Sequence, residues 1–125
     1  MNAKANERLA HQVVEAINDR DWGKIKEFAT ERIQLRLPPD QVFYGREGVR
    51  EFFAVLEARL PTLLVTARKV HAGDEFAVVE YDTHAEGIEG MGALVLAVDC
   101  GRVDRVQLYL DTAQWAAIAE GRRGR

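Results

Sequence analysis

The stretch Gly101-Arg-Val-Asp-Arg-Val-Gln-Leu-Tyr-Leu-Asp111, running on into Thr112-Ala-Gln-Trp-Ala-Ala-Ile118, decides the fold. A tight turn at Gly101 leads into a strand. Val106, Leu108 and Leu110 point one way, and Arg105, Gln107 and Tyr109 the other, which is the period of two that a half-buried strand shows. Asp111 and Gln114 then stand at capping-box spacing: Asp111 accepts from the backbone N–H of Gln114, and Gln114 reaches back. A strand that stops this sharply against a helix start fixes how a small curved sheet closes over its core.

Working back from it, Asp99-Cys-Gly101 reads as a turn. Ala93–Val98 is apolar on both faces, as a central strand is. Gly87–Gly92 reads as a loose connection. Phe76–Glu86 is a long strand, paired through a turn at Gly73-Asp74 with a strand over Leu63–His71. Val49, Phe52, Phe53, Leu56 and Leu60 mark a helix stopped by Pro61. Ile33–Leu37 alternates as a strand and ends at Pro38-Pro39, after which a loop leads to Gly45. Leu9, Val13, Ala16 and Ile17 place an amphipathic helix over residues 4–18. Asp19-Arg-Asp21 breaks it, and Asp21 is a fair N-cap for a short helix with Trp22, Ile25, Phe28 and Ala29 on its buried side. Helices gathered on one face of a curved antiparallel sheet make an α+β architecture with a conical hollow, a natural small-molecule pocket. Residues 1–118 are expected to form a single domain and 119–125 a flexible basic tail.

At 125 residues, 47% hydrophobic and 30% charged, with a net charge of −3, the chain suits one soluble domain. That balance argues against nucleic acid as a partner. A single cysteine, Cys100, excludes an internal disulfide and a cysteine-based metal site. The N-terminal residues lack the apolar core of a signal peptide, and no apolar run is long enough to cross a bilayer, so a cytoplasmic location without membrane contact is expected. His11, His71 and His84 share no ligand spacing, so no metal is expected.

The best polar constellation is Glu80, Asp82, His84 and Glu86, at spacing two on one strand and hence on one face. Two readings stand open. If Gly73-Asp74 is a two-residue turn, Asp82 lies opposite Val65, Glu80 opposite Ala67 and His84 opposite Leu63. Carboxylates among apolar neighbours have raised pKa values and suit general acid–base work, with Asp82 as the acid or base and His84 and Glu80 as partners. Alternatively this is the wet face, and Val79, Tyr81 and Thr83 point inward. Arg36 is expected at the mouth of the hollow, binding an enolate or carboxylate, or else as a surface arginine paired with Glu80 or Glu31. Tyr44 and Tyr81 are candidate hydrogen-bond donors to a ligand. Apolar walls are expected from Val13, Ile17, Phe28, Phe52, Leu56, Val106, Leu108 and Leu110.

The break Asn18-Asp-Arg-Asp-Trp-Gly, the segment Tyr44-Gly-Arg-Glu-Gly-Val49 and the run Gly101-Arg-Val…Tyr109-Leu-Asp-Thr112 together resemble the nuclear transport factor 2-like superfamily, and within it the SnoaL-like, polyketide cyclase-like group. The resemblance covers roughly residues 6 to 118. It implies the cystatin-like cone and a hydrophobic, oxygenated small-molecule ligand or substrate. It also implies, for an enzyme, cofactor-free isomerase, cyclase, dehydratase or epoxide hydrolase chemistry, or else a binding module without turnover. Homodimerisation through the outer face of the sheet is a further implication. The residues of ketosteroid isomerases have no counterparts here: Arg36 or Leu37, Val13, and Ala93 or Leu94 occupy their places. The Asp–Arg–Asp arrangement of limonene epoxide hydrolases falls on Glu80 and Asp82, or on Tyr81 and Thr83 after a one-residue slip, with Leu108 third.

Overall fold

Helix α1 spans Asn2–Asp19 and buries Leu9, Val13, Val14 and Ile17 along one side, the 3.6-residue stripe seen in the sequence. The computed structural model describes residues 2–38, 40–85 and 88–109. Arg20 closes α1 at φ +58°. Its N–H donates to the Ile17 carbonyl and that of Asp21 to the Ala16 carbonyl, so the helix ends in a Schellman motif with arginine where glycine is usual. The Arg20 guanidinium donates to the carbonyls of Ile17, Asn18 and Pro61, contacts that offset the left-handed backbone. A 3₁₀ turn, Trp22–Lys24, and the single-turn helix α2, Ile25–Phe28, follow. Asp21 precedes them without a side-chain capping bond, so its expected capping role is not realised.

Strand β1 (Ala29–Leu37) folds back through β2 (Gln41–Tyr44) into helix α3 (Gly45–Arg59). Strands β3 (Leu64–Ala72), β4 (Phe76–Ala85), β5 (Ile88–Asp99) and β6 (Arg102–Tyr109) complete the chain's described part. The six strands form one sheet in the order β2-β1-β6-β5-β4-β3. Every neighbouring pair is antiparallel except β1 and β6, which run parallel. The sheet is therefore mixed where an antiparallel one was expected. Helix α1 lies over β3 and β4, and α3 over β1 and β2. Leu35, Leu94, Leu96, Val79 and Val103 are fully buried beneath them.

Two further differences from the sequence reading concern strands. The loop expected before Gly45 contains β2, whose Val42 pairs with Arg36. Gly87–Gly92, read as loose, belongs from Ile88 onward to β5, with Tyr81 opposite Gly92. Glycine lowers strand propensity, but the ladder to β4 holds the segment extended regardless. The β5–β6 turn appears where expected: Cys100 and Gly101 both take positive φ, the conformation of a type I′ hairpin. Leu110, the capping pair Asp111 and Gln114, the helix expected after them and the basic tail lie outside the described residues.

Candidate functional site

The phase of β4 determines what faces the helices. The Gly73 N–H donates to the Phe76 carbonyl, so Asp74 and Glu75 form the tip of the β3–β4 hairpin. Ala72 then pairs with Ala77. An irregularity between Ala67 and Lys69 shifts the ladder by one residue, after which Tyr81 faces Ala67, Asp82 faces Thr66 and Thr83 faces Val65. The expected partners of Glu80, Asp82 and His84 are thus each displaced by one residue or more. A one-residue change of register moves every side chain to the other face. Ala77, Val79, Tyr81, Thr83 and Ala85 are buried, and Glu80, Asp82 and His84 alternate with them.

On that outer face the three residues meet other polar, titratable side chains. Asp82 pairs with Arg68 at 3.4 Å, Glu80 with His71 at 2.9 Å, and His84 with Glu89 at 3.2 Å. The hydrogen bond from His71 holds the Glu80 carboxyl below the ordinary carboxylate range, opposite to the rise that an apolar setting would produce. Arg36 is exposed on the outer side of β1, near the Gln34 side chain at 3.5 Å, because Leu35 and Leu37 take the inward positions. Tyr44, at the end of β2, is 68% exposed. Neither lines the cavity described below.

Under the helices lies a cavity of about 30 Å³, walled by Ile17 of α1, Phe53 and Leu56 of α3, Val65, Tyr81, Thr83, Leu94 and Leu108 of the sheet, and Leu60 and Leu63 between α3 and β3. That volume admits about one or two water molecules, so the open hollow expected from the sequence is nearly filled by side chains. Of the expected walls, Ile17, Leu56 and Leu108 line it, as does Tyr81, expected as a hydrogen-bond donor. Val13, Phe52 and Val106 are buried elsewhere in the core, and Phe28 is half-buried against it. A smaller depression shares Ile17, Phe53, Leu56, Leu60 and Leu63 and is bordered by Arg20, Trp22 and Glu57. The Trp22 ring stacks on Phe53 with centroids 4.9 Å apart, and its indole N–H donates to Glu57 at 3.3 Å.

Two hydroxyl-bearing side chains line the cavity. Tyr81 donates to the Tyr109 carbonyl at 2.8 Å, and burial pushes its phenol far above the ordinary tyrosine value. Thr83 is 2% exposed, and its Oγ1 is buried with no hydrogen-bond partner. In the sequence, Thr83 stands on the alternative inward face and, after a one-residue slip, at a position of the epoxide hydrolase arrangement. Phe53, Leu60, Leu63, Val65 and Leu94 were not foreseen as walls. Phe53 and Leu60 were visible as apolar positions of the third helix, without a sign that they border a void.

The curved six-stranded sheet with helices on one face is a nuclear transport factor 2-like α+β fold. The chain belongs to the SnoaL-like domain family, whose model matches residues 10–106. No curated protein matches the sequence. A SnoaL-like protein from Jannaschia sp. CCS1, provisionally described as a polyketide cyclase, superimposes with a TM-score of 0.83 at 16% identity, over 93% of this chain and 92% of that one. A protein from Kribbella flavida DSM 17836, provisionally described as a ketosteroid isomerase, gives 0.80 at 21% identity, over 88% and 80%. A de novo designed protein with a curved β-sheet gives 0.82 at 18% identity, over 97% of each chain. Such likenesses establish the fold and leave function to the site.

Proposed function

We propose that this protein binds a small, largely apolar molecule between α1, α3 and the concave face of the sheet, without transforming it, the guest widening the small cavity there by displacing the side chains that nearly fill it. The observation that carries this reading is the phase of β4, which turns Tyr81 and Thr83 inward and pairs Glu80, Asp82 and His84 with His71, Arg68 and Glu89 on the opposite face. General acid–base catalysis needs a group that exchanges a proton near neutral pH within reach of the reacting atoms. Among the described lining residues, the titratable group is the Tyr81 phenol, which burial keeps protonated. The family's pocket proteins support a hydrophobic ligand. In this reading Ile17, Leu56, Leu108 and Tyr81 are walls, and the acidic and imidazole groups of β4 serve the outer surface. That surface pairs with a second copy of the chain.

The test is a methyl NMR titration with toluene. The methyl resonances of Ile17, Leu56, Leu94 and Leu108 are expected to shift saturably, and Asp82→Asn is expected to change the affinity by less than about twofold, as for an ordinary surface substitution. Cavity methyls that stay still throughout the titration would exclude the reading.

A further inference from the structure

The cavity wall is apolar around one unmatched polar atom. Thr83 Oγ1 is buried and without a partner, while the neighbouring Tyr81 hydroxyl is committed to Tyr109. A buried hydroxyl left unpaired is costly, and native cores satisfy such groups in the large majority of cases. On a β-strand the outward neighbours Asp82 and His84 are on the wrong side to reach it. The volume beside it, about 30 Å³, suits an oxygen-bearing group better than a whole organic guest. The depression bordered by Arg20, Trp22 and Glu57 shares five wall residues with the cavity and adds about 10 Å³, so the apolar body of such a guest extends that way as the shared wall side chains move apart.

The charge of the guest is also constrained. Arg20 is the cation at that depression, and its guanidinium already serves the carbonyls of Ile17, Asn18 and Pro61 and lies 3.9 Å from Glu57. A carboxylate or phosphate in the cavity would therefore be desolvated without a partner, which is far costlier than burying a neutral oxygen.

Building on the pocket reading, we infer that Thr83 is a specificity-determining residue that selects neutral guests carrying one hydroxyl or carbonyl oxygen on an apolar body. The oxygen meets Thr83 at the deep end, and the body lies between α1 and α3 toward Trp22. The hydroxyl accepts from an alcohol or phenol and donates to a ketone.

Phenol and toluene test this, since they differ by a hydroxyl in place of a methyl. Affinities for both are measured by methyl NMR on the wild type, Thr83→Val and Thr83→Ser. Valine keeps the branched shape and serine keeps the oxygen. Thr83→Val is expected to weaken phenol by about threefold to tenfold, the span of a single neutral hydrogen bond, to leave toluene within about twofold, and Thr83→Ser to retain the phenol affinity. If toluene binds and phenol responds to Thr83→Val no more than toluene does, the role of Thr83 is overturned and the pocket stands. If neither compound moves the cavity methyls, the pocket reading fails and this inference with it.

Discussion

Gly92 shows how a missing side chain can organise a site. It lies on β5 opposite Tyr81 of β4, and the Tyr81 side chain passes across it to reach the Tyr109 carbonyl of β6. A Cβ at position 92 would lie 2.1 Å from that carbonyl oxygen and 2.6 Å from the Tyr81 hydroxyl. Both atoms would have to move, and the carbonyl belongs to a strand held on its ladder. Gly92→Ala is therefore expected to lower stability by about 3 kcal/mol, at the upper end of overpacking costs, as measured by urea denaturation. Unchanged stability would mean that Tyr81 has an alternative seat. In the sequence, Gly87, Gly90 and Gly92 read as a flexible connector. A glycine inside a strand also marks a close approach, but the approaching group comes from a different strand, which no local pattern reveals. The same limit applies to Thr83: the alternation along β4 was legible, and its phase was not.

That phase is settled at the level of elements. Which half of the Phe76–Ala85 alternation turns inward depends on one residue of hairpin tip and one irregularity between Ala67 and Lys69. Neither leaves a strong signature, since Gly73-Asp74 and Asp74-Glu75 are both acceptable turns. Helix α1 was legible by its apolar stripe, but its attachment was not. Two asparagines pin it. Near its start, the buried Asn6 amide donates to the carbonyls of Gly73 at 2.8 Å and Asp74 at 3.0 Å, fixing the hairpin tip. Near its end, Asn18 donates to the Val65 carbonyl and accepts from the Val65 N–H, both at 2.8 Å. Asn18 thus takes the place of a neighbouring strand along the sheet edge formed by β3, satisfying backbone groups that an unprotected edge would present to another chain. It also sets Ile17 and Val65 against the same cavity. Asn18→Ala removes two bonds and strands a backbone donor and acceptor, so a loss of about 2–3 kcal/mol is expected, with a broadened toluene response at Ile17. A variant as stable as the wild type would show that the edge contact is incidental. The motif containing Asn18 was recognisable in the sequence as a fold marker, while its role as a strand mimic requires the edge strand 47 residues away.

For the whole molecule, the α+β class followed from periodicity, because one helical stripe or one alternating strand each carries its own evidence. The parallel pairing of β1 with β6 did not, since it joins segments far apart in the chain, with β2, α3, β3, β4 and β5 between them. That pairing brings Arg36 beside Gln107 on the outer face, the face proposed for self-association. Val78 and Val95, paired across β4 and β5, are only half-buried there. Met91 and Tyr109 are 56% and 46% exposed. An apolar strip bounded by the Arg68–Asp82 and His71–Glu80 pairs has the layout of an interface, with an apolar centre and a charged rim. Light scattering is expected to give twice the chain mass, and Val95→Arg, which sets a cation in the centre of the strip, is expected to give the monomer. A wild-type monomer at every concentration would exclude the dimer. The concave face is untouched by that substitution, so the monomeric variant is expected to bind toluene within about twofold of the wild type. A larger loss would mean that the interface supports the cavity walls through the sheet, and that the two faces of β4 and β5 act as one device.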